Sequence, residues 1–556
     1  MTIGAYHLVG ETLSKLGVDT MFFLMGEPTF GMARSCGANG IRMIDVRHEQ
    51  AAAMMANAYA RLRRKPGLCM AASGPGVINL TTGLANALVD CAPVIAIGGS
   101  SPMRLWGKGS FQEIDQVAIM RPVTKWAARV TDAARIPTML ATAYTQAISG
   151  TPGPVYLDIP GDVIYSEVDE TKVTWPVFQP VDVEATTLSS ATIDRIFGLL
   201  RRARRPVIIS GSGAIWSNAS SELQTFVERT GVPFYTTPQG RGVVPDDHPF
   251  AFLSARSTAL SKADLVLALG TRLNYLWGFG EPPRFAKDAA FIRVDVDPVA
   301  VATTPNLAIG VTGDLKSVLR ACNERIAAKQ FNVDYAVWRD ELAAVDKSKQ
   351  ANAKSQLNSD ATPIHPLRLC REVRDFIERD AVLVVDGNEI LNYGRQSIPT
   401  FHAGHRLNSG PFGTMGVGLP FAIGAKAAMP DKQVLVLHGD GSFGLNAMEL
   451  DTAIRHNLPV LVVISLNGGW MADPDRSKPG RDLGYTRFDQ TALSLGCHAE
   501  FVERPDQIRP ALERAGSAVA SGRCAVVNVV TDWSAAAPSA NLSNYARAKL
   551  IPPSSE

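Results

Sequence analysis

One segment places a carboxylate and an amide oxygen at a spacing suited to a divalent cation. It is QVLVLHGDGSFGLNAMELDTAIRHNLPVLVVISLNGGW, residues 433–470. A strand ends in Gly439-Asp440-Gly441, a helix begins near Ser442, and a second strand ends at Asn467, 27 positions after Asp440. In a parallel βαβ unit the two strand ends can lie side by side, so both oxygens point at one place. Carboxylate, amide and carbonyl oxygens, completed by phosphate oxygens, are what Mg²⁺ takes. The glycines let backbone N–H groups approach an anion, and the helix N-terminus adds partial positive charge. GDG alone is an ordinary strand-to-helix turn; the second strand ending in Asn-Gly-Gly at this separation implies a magnesium diphosphate site.

Three other segments carry residues of chemical interest. In VRHEQAAAMMANAYARL, residues 46–62, Glu49 opens a helix of small residues, where an acid also suits the helix dipole. In LNSGPFGTMGVGLPFAIGAKAA, residues 407–428, the glycine density permits a backbone close to a ligand. The third is AASGPGVINLTTGLANALVDCAPVIAIGGSS, residues 71–101, followed by GSFQEIDQVAIMRPVTK, residues 109–125.

Positioning these groups falls to short apolar runs such as APVIAIGGS, PVIISGS, ADLVLALG, AVLVVDG and LPVLVVISLNGG, which alternate with longer helix-like segments. That alternation, with glycine just after the run, is the pattern of βα units and a parallel sheet. Polar stretches at 166–188 and 346–363 read as connections. The chain of 556 residues is too long for one core and divides into three doubly wound α/β domains, 1–165, 189–345 and 364–556. In such sheets ligands sit at the carboxyl ends of the strands.

Apolar residues at 46% and charged residues at 19% exclude a disordered or fibrous chain. Lys+Arg 55 against Asp+Glu 53 leaves +2, so no overall field draws nucleic acid or anionic membrane. Seven scattered cysteines without a CxxC argue against a disulfide framework or zinc knuckle. The first residues read as an amphipathic helix rather than a signal peptide, and no apolar run is long enough to span a bilayer. Cytoplasmic is the expected compartment.

GDG, about 25 intervening residues and then Asn resembles the cofactor motif of thiamine diphosphate enzymes of the pyruvate decarboxylase and acetolactate synthase type. The other segments occur in that family's order over essentially the whole chain. The resemblance implies Mg²⁺ ligands at Asp440, Asn467 and the Gly469 carbonyl, with Gly439, Gly441 and Ser442 in the diphosphate-holding turn. One departure is Leu466-Asn467 in place of the family's Asn-Asn pair; the second Asn is the ligand, so the metal site survives. RHEQ makes Glu49 the acid bonded to the cofactor's aminopyrimidine N1′, where low solvation keeps its proton available. The Gly413 carbonyl accepts from the 4′-amino group and Met415 wedges the cofactor into its bent form. Phe111 and Gln112 become candidate contacts to substrate or intermediate, with Gln112 counted among the catalytic residues. Because Glu49 and the diphosphate motif fall in different domains, the family's site forms between two subunits, giving a homodimer or homotetramer.

The middle segment FLSARSTALSKADLVLALGTRLNYLWGFGEPPRF, residues 252–285, with FIRVDVDP, residues 291–298, looks most like 2-hydroxyacyl-CoA lyases and oxalyl-CoA decarboxylases. That branch makes Arg256 and Arg395 candidates for CoA phosphate, and Arg272 with Asp295 for an adenine nucleotide such as ADP. Glu27 in LMGEPTF and Asn388 in DGNEILN depart from the branch and would face the substrate. The segment after Asn467 is unlike that of typical acetolactate synthases. The expected activity is a carbon–carbon lyase acting on a 2-hydroxyacyl-CoA to give formyl-CoA and an aldehyde or ketone. The alternatives are an acetolactate synthase-like carboligase or decarboxylase of small 2-oxoacids, and an oxalyl-CoA decarboxylase.

Overall fold

Strands such as Val434–Gly439 and Leu461–Leu466 are buried along nearly their whole length. Burial on both faces is the condition of a central strand in a parallel sheet covered by helices. The computed structural model describes residues 2–176, 188–475 and 477–537 and contains three such sheets. The first has the spatial order Arg42–Asp45, Thr20–Leu24, Gly67–Ala71, Val94–Ser100, Val155–Pro160, Trp126–Arg129, all parallel. The last has the order Arg406–Leu407, Val382–Asp386, Val434–Gly439, Leu461–Leu466, Ala525–Val530, His498–Val502, again all parallel. Counted along the chain, both run second, first, third, fourth, sixth, fifth, so the two domains repeat one topology. Between them a parallel sheet runs Phe234–Thr236, Pro206–Ser210, Leu265–Leu269, Ala290–Asp295, Leu307–Thr312. In each sheet the chain reverses direction of progress between its first and third strands, which opens a crevice at their carboxyl ends.

The segments expected as connections have structure of their own. Glu167–Asp169 pairs antiparallel with Thr2–Gly4, which returns the end of the first domain to its beginning. Residues 177–187 of that stretch lie outside the described residues. The second stretch continues the helix Ala336–Leu357, whose Ala, Lys and Gln residues favour helix without needing a buried face. Only Trp338 and Leu342 of this helix are buried.

The first and last domains meet through the helices Glu49–Arg63 and Gly418–Ala428, which make the most extensive helix contact in the fold and share one hydrophobic core containing Met54, Met55 and Phe421. Their approach requires small residues: a Cβ on Gly424 would stand 2.4 Å from the Met55 carbonyl oxygen. Gly424→Val should therefore lower the unfolding free energy by about 1–3 kcal/mol, read as a shifted urea midpoint, because backbone cannot yield as a side chain does. All seven cysteines are buried free thiols. Among the described residues no helix is long and apolar enough to cross a membrane.

Candidate active site

The register of the last sheet pairs Gly439 with Ser465, so the two strands end side by side and bring Asp440 to Asn467. The helix begins at Asp440 itself, two residues earlier than expected. Asp440 is buried, and its two carboxylate oxygens accept from the Gly441 amide at 2.8 Å and the Gly469 amide at 3.0 Å. Asn467 Oδ1 accepts from the same Gly469 amide at 3.3 Å. Burial pushes the Asp440 carboxyl up to about 6, against the opposing pull of these backbone amides. Ser442 Oγ donates to the Gly439 carbonyl at 3.0 Å and lies 3.1 Å from His438 Nδ1.

These residues line a small cleft together with Gly387, Asn388 and Glu389 from the first strand's turn, Met415, and Trp470 and Met471. The cleft thus sits at the reversal between first and third strands. Its donor set fits magnesium. No group of three His, Cys, Asp or Glu side chains could hold a metal among the described residues, and none is needed here. One carboxylate, one amide oxygen and one carbonyl leave positions open for diphosphate oxygens, and a divalent cation would neutralise a carboxylate that burial penalises.

Met415 lines this cleft, and two residues before it Gly413 takes a left-handed conformation, φ 73°, closing the short 3-10 helix Gly410–Phe412. Among the described residues, none of the first domain lines the cleft. Glu49 lies instead at the first position of the helix Glu49–Arg63, buried, accepting from Asn79 Nδ2 at 3.0 Å. A Cβ on Gly76 would stand 3.3 Å from Glu49 Oε1, so the SGPG turn packs against this acid. The turn before Glu49 is held by the last domain of the same chain. The Glu449 carboxylate accepts from the amides of Arg47 and His48, each at 3.1 Å. Asn446 accepts from Gln50 Nε2 at 2.9 Å and donates to the Gly416 carbonyl at 2.7 Å.

Around the SGPG turn the structure also gathers Gln112, Phe111 and Glu27. Gln112 has φ 57°, uncommon for a side-chain-bearing residue, and its Oε1 accepts from Ser73 Oγ at 2.5 Å. Phe111 is 75% exposed. The Glu27 carbonyl accepts from Ser73, while its exposed carboxylate bonds Tyr165. Asn388 instead lines the cleft of the last domain.

Arg256 and Arg395 come together from the middle and last domains, joined by Arg241 and Arg284. Burial and the neighbouring guanidiniums of Arg395, Arg284 and Arg241 lower Arg256 to about 10. Burial and Arg241 lower Arg395 as well. Arg241 donates to Asp246 at 3.1 Å and to the Arg395 carbonyl at 2.9 Å. Arg395 follows Asn388 by seven residues on the helix Glu389–Ser397, which places the cluster about 10 Å along the helix from the cofactor cleft.

Arg272 and Asp295 border a separate cavity of about 350 Å³ between the first and middle domains, with Arg64, Lys65, Ser212, Gly213 and Asp314. Arg272 donates to the Val89 carbonyl at 3.1 Å, and Asp295 accepts from Arg293 at 2.7 Å. Asn79, Glu449, Asn446, Glu389, Arg241 and Arg284 escaped sequence reasoning; Glu449 and Asn446, for example, act on residues some 400 positions away, which no local spacing signals.

Two like parallel-sheet domains, one presenting a buried acid and the other a diphosphate turn, flank a third with its own cavity. This is the class of cofactor enzymes built from pyrimidine-binding, central and diphosphate-binding domains. The chain belongs to the thiamine pyrophosphate enzyme family: the N-terminal TPP-binding domain matches residues 4–119, the central domain 193–322 and the C-terminal TPP-binding domain 392–529. It is 37% identical over 549 residues to an acetolactate synthase large subunit of Mycobacterium tuberculosis, covering 97% of each chain. It is 36% identical over 561 residues to a 2-hydroxyacyl-CoA lyase of Arabidopsis thaliana, covering 96% of each. With an oxalyl-CoA decarboxylase of Escherichia coli it shares 32% over 548 residues, again 96% of each. Identity alone does not separate these three activities.

Proposed function

We propose that this protein is a thiamine diphosphate and Mg²⁺ dependent lyase of 2-hydroxyacyl-CoA thioesters, yielding formyl-CoA and an aldehyde or ketone. When bound, thiamine diphosphate supplies a carbon nucleophile and accepts the electron pair released as the bond between C1 and C2 of the substrate breaks. Asp440, Asn467 and the Gly469 carbonyl hold the metal, and Gly439, Gly441 and Ser442 hold the diphosphate. Met415 and the Gly413 carbonyl orient the aminopyrimidine, while Glu49 holds and moves a proton at N1′. Gln112, Phe111, Glu27 and Asn388 border the substrate.

Glu49 would reach that cofactor from a second copy of the chain. In support, no first-domain residue lines the cofactor cleft among the described residues, and exposed apolar side chains stand on both prospective faces. Met25, Phe30 and Phe111 lie on the first domain, and Phe412, Leu445, Met448 and Met471 on the last. A homodimer or homotetramer brings these faces together.

The observation that carries the CoA reading is the arginine cluster. The guanidiniums of Arg395, Arg284 and Arg241 lower the pKa of Arg256, those of Arg241 and Arg284 lower that of Arg395, and Arg241 is paired with Asp246, so this concentration of positive charge suits an anion with several phosphate oxygens. Arg256→Ala should raise KM for an acyl-CoA far more than it lowers kcat, because such contacts are equal in ground and transition states. The deciding experiment is a panel of 2-hydroxyacyl-CoAs, oxalyl-CoA and pyruvate with product identification. Turnover of pyruvate without any acyl-CoA would favour the 2-oxoacid carboligase, the reading that the likeness to the synthase supports. The middle cavity, lined by Arg272 and Asp295 with the cationic Arg64 and Lys65, would take an adenine nucleotide such as ADP.

A further inference from the structure

The segment Asn467–Met471 must turn one carbonyl toward the metal while the chain reverses sharply on either side. Gly468 has φ 72° and Met471, which carries a side chain, has φ 61°. Between these two turns the chain pairs with residues 481–483 in a short antiparallel bridge, Gly469 opposite Asp482. The Leu483 amide donates to the Gly468 carbonyl at 2.9 Å, and the Trp470 amide donates to the Arg481 carbonyl at 2.8 Å. In extended chain successive residues direct their polar groups to opposite edges. The Gly469 amide and carbonyl therefore face away from 481–483, and the amide does meet Asp440 at 3.0 Å.

The Arg481 side chain secures both ends of this arrangement. It is 5% exposed, and its Nε donates to the Met471 carbonyl at 2.9 Å while Nη2 donates to the Asn467 carbonyl at 3.0 Å. Nη1 donates to Asp482 at 3.2 Å. Two of its donors thus hold the loop that frames the metal position, and the left-handed backbone at Met471 is held by one of them. A Cβ on Gly469 would lie 2.1 Å from the Arg481 carbonyl oxygen, so backbone packs directly on backbone here.

We propose that Arg481 is a positioning residue of the cofactor site, fixing the loop 467–471 so that the Gly469 carbonyl is presented to Mg²⁺. The inference rests on the thiamine diphosphate reading and adds to it a residue outside the family's motif. A lysine keeps the charge but cannot span both carbonyls, and a methionine fills the space without donors. Outer-shell groups that orient ligands contribute about 10–100-fold to metal affinity.

The test is isothermal titration of the full chain with thiamine diphosphate over a series of Mg²⁺ concentrations, alongside thermal melting of the cofactor-free protein. Arg481→Lys and Arg481→Met should each need about 10–100-fold more Mg²⁺ for half-maximal cofactor binding. Should Arg481→Met fail to fold, Arg481→Lys decides. Normal binding by the wild type with an unchanged Mg²⁺ requirement in Arg481→Lys overturns the inference and leaves the functional reading intact. A wild type that binds no thiamine diphosphate at any Mg²⁺ concentration overturns both.

Discussion

Glu49→Gln should fold, bind thiamine diphosphate and lose about 10²- to 10⁴-fold in turnover, the usual contribution of a general acid-base group. The substitution is nearly isosteric, and what holds the position lies around it. His48 Nδ1 accepts from the Gln50 amide at 3.2 Å, and Glu449 holds the amides of Arg47 and His48. Asn79 can still donate to the oxygen of the new amide. What the variant lacks is a proton to exchange with N1′. Deuterium exchange at C2 of the bound cofactor, followed by NMR, separates the chemistry from structure. Exchange at the wild-type rate would reduce Glu49 to a structural acid at a helix N-terminus.

The parts of this site legible in the sequence are those written in contiguous residues. Asp440 and Asn467 announce themselves because a strand, a helix and a strand in one stretch fix where two side chains meet. Glu49 and Met415 need the family resemblance, since an acid opening a helix and a methionine between glycines have ordinary uses elsewhere. Glu449 and Asn446 look like helix surface in GLNAMELDTAIRH, and only tertiary packing turns them toward Arg47, His48 and Gln50, some 400 positions away. Arg481 sits in a polar run with no period, and its role depends on a two-residue bridge. The helix Ala336–Leu357 shows the converse: its polar residues carry helix propensity, yet a search for an apolar stripe passes over them.

The paired topology gives the arrangement a further consequence. The helix Asp440–Asn446 begins at the proposed metal ligand and ends at Asn446, whose amide touches both Gln50 and the Gly416 carbonyl. Within one chain the diphosphate turn, the Met415 loop and the Glu49 turn are therefore braced against each other. In the proposed dimer they would serve two different cofactors, so a rigid brace sets the geometry of both sites at once.

Asp440→Ala should abolish binding of thiamine diphosphate with Mg²⁺ rather than merely slow turnover. The remaining ligands, Asn467 Oδ1 and a backbone carbonyl, are neutral and cannot offset the charge of a cation drawn into a buried cleft. The variant also leaves the amides of Gly441 and Gly469 without their acceptor, at a cost of about 1–3 kcal/mol for each that stays unpaired. Against this stands the relief of removing a carboxylate whose own burial raises its pKa to about 6, so the cofactor-free variant should remain folded. The effects separate in a thermal melt with and without ligand. With free thiamine diphosphate at about a hundredfold its dissociation constant in the presence of Mg²⁺, the wild-type protein should gain about 2.7 kcal/mol from binding, seen as a raised melting temperature. Asp440→Ala should gain nothing, and chelation of Mg²⁺ should bring the wild type to the same state. An equal rise in the variant would show that the metal is held elsewhere.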